Sequence, residues 1–415
     1  MTFDAKPDAG KCGRASWNLS RPREYARPRQ ATGVDARVHL MTERSGPAGQ
    51  HLPSPGCSRD DLETPALCID LDLMEENIRR VAAACSAAGA SWRPHVKGHR
   101  SGAIGARQVA AGAIGLTCAK LGEAELMAAA GVHDLLVANA IVGPQKLARL
   151  VELSRHADPI VAVDHVDQLR PLAAAFTGAG SCVRIVIEVD IGLARAGTEP
   201  GEPALRLAQE AAALDGVELV GVMGWEGHLI RIGDRTEKEA RIHEALDRLV
   251  GTKQLLEAAG IPCPIVSCSG TGSFQVSLGH PGVTEVQAGG AILMDVFYRD
   301  DCGVVGLDDA LTLVTTVVGR PTPERAIVDA GRKTLNVEIA MPRVVGRPGV
   351  EFERMSAEHG QLSVAPKAAP LAVGDRLEVV PGYADLTVFL HDRFYGFRSG
   401  RLAEILPIAG SDASQ

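Results

Sequence analysis

The chain has 415 residues, of which 46% are hydrophobic and only 4% aromatic, and its formal net charge is −8 at pH 7. This length allows one large and one smaller domain, and the abundance of small apolar residues favours packed α/β layers over an aromatic-rich binding protein. The negative charge argues against nucleic acid as a partner, and without an apolar run of about 18 residues no membrane-spanning helix is expected.

The nine cysteines are scattered, odd in number and nowhere spaced as Cys-x-x-Cys. Several stand inside apolar runs, as buried free thiols often do, so we expect reduced cysteines and a cytoplasmic location. The first residues contain no apolar segment of the kind found in a secretory signal. Residues 1–58 are rich in Arg, Pro, Gly, Ser and Asp, and we expect a disordered extension there.

Residues 59–302 alternate short apolar runs with segments of helical periodicity. The predicted strands are Ser91–Val96, Ile114–Ala119, Leu135–Ala140, Ile160–Asp164, Val183–Asp190, Val217–Trp225, Ile265–Ser269 and Thr284–Ala288. The predicted helices between them are Gly102–Ala111, Leu121–Ala130, Pro144–His156, Val166–Phe176, Glu202–Leu214, Thr236–Ala259 and a short turn near Thr271–Ser277. Near-continuous apolar strands separated by helices indicate a parallel sheet, and eight such units favour an α/β fold with a TIM-like (β/α)8 barrel.

Residues 303–410 have a different character, because helical periodicity is nearly absent. The strand-like runs there are Leu311–Val318, Ala326–Val328, Arg376–Val380 and Leu386–Leu390, with Pro and Gly between them. This pattern predicts a smaller C-terminal β-domain. Ahead of the barrel, Ala66–Asp70 is predicted to lead from one domain to the other, and Leu73–Ala88 has the spacing of a helix.

A barrel places its active site at the carboxyl ends of its strands, and polar residues and glycines follow several predicted strands here. They are Arg93, His95, Lys97 and His99 at the end of the first strand, Arg195 beyond the fifth, Trp225 and His228 at the end of the sixth, Ser269–Ser273 at the end of the seventh and Gln287 at the end of the eighth. Ser269–Ser273 suits either a phosphate-binding loop or a tight structural turn.

Lys97 is either a nucleophile, its pKa lowered by burial and by charge from Arg93, His95 or His99, or a salt-bridged surface lysine.

Seven segments occur together in one order along the chain. They are Asp-Leu-Glu-Thr-Pro-Ala (61–66), Arg-Pro-His-Val-Lys-Gly-His (93–99), Glu-Val-Asp-Ile-Gly-Leu-Ala-Arg-Ala-Gly (188–197), Trp-Glu-Gly-His (225–228), Ser-Gly-Thr-Gly-Ser (269–273), Glu-His-Gly (358–360) and Pro-Gly-Tyr-Ala-Asp-Leu-Thr-Val (381–388). This set resembles the D-threonine aldolase and D-serine dehydratase family. The resemblance implies a fold type III pyridoxal 5'-phosphate (PLP) enzyme, with an alanine-racemase-like barrel, a β-domain and a homodimeric assembly.

The resemblance also implies roles for individual residues. Lys97 matches the lysine that holds PLP as a Schiff base, and Gly270, Thr271 and Gly272 match the phosphate cradle. Arg195 matches an arginine near the cofactor ring. The other predicted cofactor-binding residues are Trp225, Ser269 and Gln287, and the predicted catalytic residues are Lys97, His95 and His228.

Two positions depart from the family pattern. Tyr383 stands where the family usually has the histidine of a metal-binding pair, with Asp385 as its partner. Both would share one face of a strand, but a neutral phenol is a poor zinc ligand. Mn²⁺, Mg²⁺, Zn²⁺ and no metal all stay open. Trp225 stands where the family often has tyrosine, so a hydrogen bond from a hydroxyl is lost there.

The expected substrate is a small D-amino acid. Asp385, where dehydratases typically have cysteine, favours retro-aldol cleavage of a D-β-hydroxy amino acid to glycine and an aldehyde, as in D-threonine aldolase. The alternative is a D-serine or 3-hydroxy-D-aspartate dehydratase that releases ammonia. An amino-acid racemase and a non-catalytic PLP-binding protein are less favoured, the latter because such proteins tend to lack a β-domain.

Overall fold

The computed structural model describes residues 52–409. Strand β1 (Ala66–Asp70) comes first and is followed directly by helix α1 (Leu71–Ala87). The helix begins where the Asp70 carboxylate accepts a hydrogen bond from Leu73 N at 3.0 Å, which satisfies a backbone donor of the first turn. Its buried residues recur at helical spacing: Leu71, Met74, Ile78, Val81 and Cys85.

Eight parallel strands then form one sheet, with helices between them. The strands are β2 (Ser91–Trp92), β3 (Leu116–Cys118), β4 (Asp134–Val137), β5 (Asp158–Val163), β6 (Val183–Glu188), β7 (Val217–Met223), β8 (Ile265–Cys268) and β9 (Glu285–Val286). The helices are α2 (Gly102–Ala110), α3 (Leu121–Ala129), α4 (Pro144–Leu153), α5 (Val166–Gly178), α6 (Glu202–Ala213), α7 (Arg235–Ala258) and α8 (Phe274–Ser277). Every predicted barrel strand and helix overlaps one of these elements, and the predicted barrel is confirmed.

The sheet runs in the order β2-β9-β8-β7-β6-β5-β4-β3, and its two ends meet. A parallel bridge joins His95 to Thr117, with Thr117 N donating to Pro94 O at 2.9 Å. On the other side, His95 N donates to Gln287 O at 3.1 Å. The first strand therefore continues past β2 as far as His95, which closes the barrel and sets Lys97 at its carboxyl rim.

Arg93 lies at the opposite end of the barrel from that rim. Its guanidinium donates to Glu285 Oε1 at 3.0 Å and to Asp134 Oδ1 at 2.6 Å, and these two residues are the first of β9 and β4. The interpretation that Arg93 adds positive charge beside Lys97 is therefore wrong. Arg93 lies four residues before Lys97 in the chain, and its side chain points toward the amino ends of the strands, away from the rim where Lys97 lies.

The remaining strands build a second, mostly antiparallel sheet. They are β10 (Leu311–Thr322), β11 (Arg325–Val328), β12 (Arg343–Val344), β13 (Val350–Met355), β14 (Gly360–Val364), β15 (Arg376–Val380), β16 (Arg393–Arg398) and β17 (Arg401–Pro407). The sheet order is β13-β14-β11-β10-β1-β16-β17, and β15 pairs with β10 and β12. Strand β1 is thus more than a connection, because it pairs with β10 on one side and β16 on the other.

The predicted strand Leu386–Leu390 is wrong. Residues Ala384–Val388 form helix α9, and Tyr383 is the residue that precedes its first turn. Ala384 N donates to Asp295 Oδ2 at 2.8 Å, so a carboxylate from the end of the barrel fixes the start of this helix. Tyr383 and Asp385 therefore do not share the face of a strand, although their side chains still meet.

The predicted domain ranges, 59–302 and 303–410, stay predictions, and β1 shows that one strand of the second sheet precedes the barrel. The predicted disordered extension, 1–58, falls almost wholly outside the described residues. Within the described part of the chain, no helix combines the length and the apolar character that crossing a membrane requires.

Candidate active site

A cavity of about 360 Å³ opens at the carboxyl ends of the barrel strands. Its wall brings together residues that are far apart in the sequence. They are His95, Lys97, Gly98, Ala119, Ala138, Asn139, Glu188, Arg195, Ala196, Met223, Gly224, Trp225, Ser269, Gly270, Thr271, Gln287, Gly289, Gly290, Tyr298 and Asp385. Most of the predicted site residues are in this set, and its volume lies within the range of small-molecule sites.

Lys97 lies in a single helical turn, Val96–Gly98, directly after the closing bridge of the barrel. Its Nζ is 3.2 Å from Asp385 Oδ2 and 5.8 Å from the centroid of the Trp225 ring. The Lys97 side chain keeps 40% of its exposure, whereas that of Asp385 keeps only 9%. The amine is therefore held by a nearly buried carboxylate yet stays open to the cavity.

His95 lies beneath Lys97 and is held in one orientation. Its Nδ1 accepts a hydrogen bond from Lys97 N at 3.4 Å, so the neutral ring carries its proton on Nε2. Burial, helped by the positive charge of Lys97, lowers the pKa of His95 well below its usual value. The ring is therefore uncharged at neutral pH.

Arg195 and Trp225 form the opposite wall. The guanidinium carbon of Arg195 is 5.1 Å from the Trp225 ring centroid, a cation–π distance, and Arg195 Nη2 lies 3.7 Å from Glu188 Oε1. Burial raises the pKa of Glu188, while the charge of Arg195 acts in the opposite direction. Both cationic groups, Lys97 and Arg195, thus lie within about 6 Å of the centre of one flat aromatic ring.

The Ser269–Ser273 turn supplies the floor of the cavity. Ser269 has a backbone φ of 73°, a left-handed conformation that costs a residue other than glycine about 1 kcal/mol or more. The Oγ atoms of Ser269 and Ser273 lie 3.1 Å apart, which holds the turn closed. A Cβ on Gly270 would stand 3.1 Å from Trp225 Nε1, so a side chain there would crowd the indole.

Three buried polar atoms of the cavity wall have no hydrogen-bond partner among residues 52–409. They are Thr271 Oγ1 and Trp225 Nε1, which lie beside this turn, and Asp385 Oδ1. A buried hydroxyl or indole N–H without a partner is costly, which indicates that a bound polar group satisfies it. Gln287 is already bonded, because its Nε2 donates to Ser267 Oγ at 2.9 Å.

Asp385 and Tyr383 meet at the edge of the cavity. The Tyr383 hydroxyl donates to Asp385 Oδ2 at 3.0 Å, the same oxygen that faces Lys97. Burial, together with the Asp385 carboxylate, raises the pKa of the Tyr383 phenol above its usual value. In the part of the chain that the structure describes, no group of three or more His, Cys, Asp or Glu residues is arranged to hold a metal ion. A phenol that stays protonated is a poor ligand for a divalent cation, and the Asp385 oxygen beside it already faces the Lys97 amine.

Two predicted site residues lie elsewhere. The His228 side chain is exposed and is not part of the cavity wall; its Nε2 packs against Gly192 instead. Gly272 is buried against Ile230 and Cys302, where an added Cβ would come within 2.9 and 3.2 Å of them. A glycine in that motif is therefore required by packing of the turn.

Three polar residues of the cavity wall were not predicted from the sequence: Asn139, Glu188 and Tyr298. Asn139 and Glu188 stand at the carboxyl ends of predicted strands, so the rule that pointed to Lys97 would also find them. Tyr298 has no such signal, because it lies in the turn Phe297–Asp301 between the two sheets. Only the folded chain brings its ring next to Tyr383, with centroids 5.8 Å apart.

Comparison with known proteins gives a consistent result. Residues 69–296 match the model of the alanine racemase N-terminal domain, and residues 310–397 match that of a serine dehydratase domain. D-threonine aldolase of an Arthrobacter species is 34% identical over 372 residues, which cover 88% of this chain and 98% of the relative. D-threo-3-hydroxyaspartate dehydratase of Delftia sp. strain HT23 is 33% identical over 350 residues, 79% of this chain and 92% of the relative.

Among solved structures, D-threonine aldolase from Filomicrobium marinum matches with a TM-score of 0.83 and 36% identity. The match covers 86% of this chain and 98% of that structure, so it includes both sheets. The chain therefore belongs to the D-threonine aldolase and D-serine dehydratase family, with an alanine racemase N-terminal domain followed by a serine dehydratase domain.

Proposed function

We propose that this protein is a PLP-dependent lyase that cleaves D-β-hydroxy amino acids to glycine and an aldehyde, as D-threonine aldolase does. The observation that carries the proposal is the cavity at the barrel rim. It joins a lysine amine, a tryptophan ring near two cations and an unpartnered buried hydroxyl. Similarity to an aldolase over 88% of the chain supports the reaction class.

The residues present fit the cofactor. Lys97 would hold its aldehyde carbon, Thr271 Oγ1 and the backbone at Gly270 would receive its phosphate, and Arg195 and Trp225 would lie along its ring. Ser269 and Gln287 would support that wall. Once bound, PLP supplies an electron sink for the bond that breaks at the substrate Cα.

The protein itself must then move protons. In retro-aldol cleavage the β-hydroxyl loses its proton, its oxygen becomes the aldehyde oxygen as the Cα–Cβ bond breaks, and Cα regains a proton to give glycine. Among the groups in the cavity wall, we assign the transfer of these protons to Asp385, Lys97 and His95. The low pKa of His95 keeps its ring neutral, whereas Asp385 is an acceptor beside the amine.

Substrate turnover tests the proposal directly. The purified full-length chain with PLP should convert D-threonine to glycine and acetaldehyde and should leave L-threonine unchanged. The wild type should show an absorbance band at about 420 nm that borohydride removes, as expected for a lysine-bound cofactor. Lys97→Ala should lose both this band and the turnover. Lys367→Ala, which changes an exposed lysine in the second sheet domain, should behave as the wild type. Ammonia and a 2-oxo acid without glycine would rule out the aldolase reaction.

That last outcome would instead support the dehydratase, which the likeness to the Delftia enzyme favours. Conversion of the D-amino acid to its L-enantiomer, with neither glycine nor ammonia released, would support a racemase. No turnover of any D-amino acid, with PLP bound, would leave a non-catalytic PLP-binding protein, a class against which the second sheet argues.

The assembly and location of the protein are further parts of this proposal. The family resemblance supports a homodimer, which the molar mass in solution would test. The eight cysteines in the described part of the chain are free thiols, which agrees with a reducing, cytoplasmic setting.

A further inference from the structure

The junction between the barrel rim and α9 contains a chain of hydrogen-bonded side chains where the family resemblance leads one to expect a metal. The Tyr298 ring packs edge-on against the Tyr383 ring, and the Tyr383 hydroxyl donates to Asp385 Oδ2 at 3.0 Å. The same Oδ2 lies 3.2 Å from Lys97 Nζ. One carboxylate oxygen therefore already has a phenol and an ammonium as partners.

The Tyr383 ring is fixed in this position. Its centroid lies 5.4 Å from that of Phe297 in an edge-on contact and 5.8 Å from that of Tyr298. The backbone next to it is held as well, because Ala384 N donates to the fully buried Asp295 carboxylate. Tyr383 thus has little freedom to turn its hydroxyl away from Asp385 and present an oxygen to an ion.

The surroundings offer few replacement ligands. The nearby His99 is fully buried, and both of its ring nitrogens are in use: Nε2 bonds to Gln108 Oε1 at 3.1 Å, and Nδ1 accepts from Ser101 N at 3.1 Å. His95 Nδ1 is bonded to Lys97 N.

We propose that this active site works without a divalent cation, and that Tyr383 is a positioning residue whose hydroxyl fixes the Asp385 carboxylate beside Lys97. The positioning role rests on the proposed lyase function, whereas the absence of a metal site does not. An Asp385 held in this way presents an oriented acceptor for the β-hydroxyl of the substrate. The phenol supplies by hydrogen bonding the orientation that coordination to an ion would otherwise give.

Metal binding can be measured without any turnover. Chelator-treated, cofactor-free wild-type protein is dialysed to equilibrium against Mn²⁺ and, separately, Zn²⁺, and bound metal is counted per chain. Wild type should bind far less than one ion. Tyr383→His restores a His-x-Asp pair and should bind about one ion per chain, in line with the imidazole and carboxylate preferences of these metals. Adding Asp385→Asn to that variant should remove the ion.

Either of two results would overturn the metal half of the inference. One is wild-type protein that binds one ion per chain and loses it in Asp385→Asn. The other is a folded Tyr383→His variant that binds none, because tyrosine would then not be the feature that excludes the ion.

The positioning role is tested by kinetics on the PLP-loaded enzyme. Tyr383→Phe removes one hydrogen bond to a charged group and should lower kcat about tenfold with little change in KM. Tyr395→Phe, in β16, is the matched control and should change neither constant. Wild-type turnover should also survive chelation. A Tyr383→Phe enzyme with wild-type kcat, or activity that chelation removes and Mn²⁺ restores, would contradict the role. If no D-amino acid is turned over, the lyase proposal fails, yet the dialysis result still stands.

Discussion

Thr271 has a hydroxyl that is buried in the cavity wall, and nothing within the described range accepts from it or donates to it. If it donates to the cofactor phosphate, Thr271→Val should weaken PLP binding about tenfold or more, since a hydrogen bond to a charged group contributes about 1.5–3 kcal/mol. The cofactor-free protein should lose no stability, because an unsatisfied buried hydroxyl is removed at nearly constant volume. Spectroscopic titration with PLP and urea unfolding without it measure the two effects.

Thr312 offers the matched control. It is also buried with an unpartnered Oγ1, but it lies in β10, outside the cavity wall. Thr312→Val should likewise cause no loss in the free energy of unfolding, and it should leave PLP affinity unaltered. Equal affinity losses in both variants would show that the hydroxyl of Thr271 has no specific role.

At the scale of single residues, sequence reasoning found those that lie in local motifs. Lys97, Trp225 and Thr271 stand at the carboxyl ends of strands and Arg195 lies in the loop that follows one, so a correct strand prediction was enough to bring them to one rim. Arg93 was misjudged although it is only four residues from Lys97, because its long side chain runs back into the barrel toward Glu285. The end of the barrel toward which a buried side chain points depends on the tertiary structure, and local sequence spacing does not reveal it.

Helix α9 depends on Asp295 for its position beside the barrel. The two oxygens of its carboxyl group accept from Tyr298 N at 2.7 Å and from Ala384 N at 2.8 Å. Asp295→Asn keeps one acceptor and turns an amide N–H toward the other backbone donor, so we expect a loss of about 1–3 kcal/mol in the free energy of unfolding. Urea unfolding of the cofactor-free protein between pH 4 and pH 9 measures it.

The loss should depend on pH in a definite direction. Burial raises the pKa of Asp295 to about 8, well above the value of about 3.9 in an unfolded chain. The Asp295 carboxyl therefore makes its full contribution to the free energy of unfolding below about pH 4, and this contribution is lost as the pH rises through 8. Asparagine cannot ionise, so the gap between wild type and variant should shrink toward pH 9. A gap that is constant or grows with pH would show that the carboxyl is not buried in its neutral form.

The same contact explains why sequence reasoning failed at this element. Leu386–Leu390 is a short apolar run with β-branched and aromatic residues, which favours a strand, and five residues are too few for helical periodicity to be recognised. The helix starts here because a carboxylate 89 residues earlier in the chain accepts from Ala384 N. Tertiary contacts therefore decide the conformation, and with it the geometry of Tyr383 and Asp385.

At the scale of the whole molecule, the barrel could be predicted because each of its strands is buried on both sides and reads as an apolar run. The second sheet could be predicted only in part. Its strands alternate buried and exposed residues, as β13 does, and several pair across long stretches of sequence. The insertion of β1 between β10 and β16 joins segments more than 240 residues apart, a pairing that no local pattern encodes.

Ion pairs at the amino ends of the strands hold the closed barrel together. The almost fully buried Arg93 bridges Glu285 in β9 and Asp134 in β4, and Asp134 also bonds to Arg184 of β6 at 3.0 Å.

Arg93→Met should lower the free energy of unfolding by about 3–5 kcal/mol, because Glu285 is left charged and buried without its partner. Arg93→Met/Glu285→Gln, which removes both charges, should recover about 2 kcal/mol or more of that loss. Since this cluster lies at the end of the barrel opposite Lys97, kcat and KM of the folded fraction should match the wild type in both variants. Urea unfolding and steady-state kinetics at low temperature separate the two properties, and a double variant no more stable than Arg93→Met would mean that the Arg93–Glu285 pair does not hold the barrel ends.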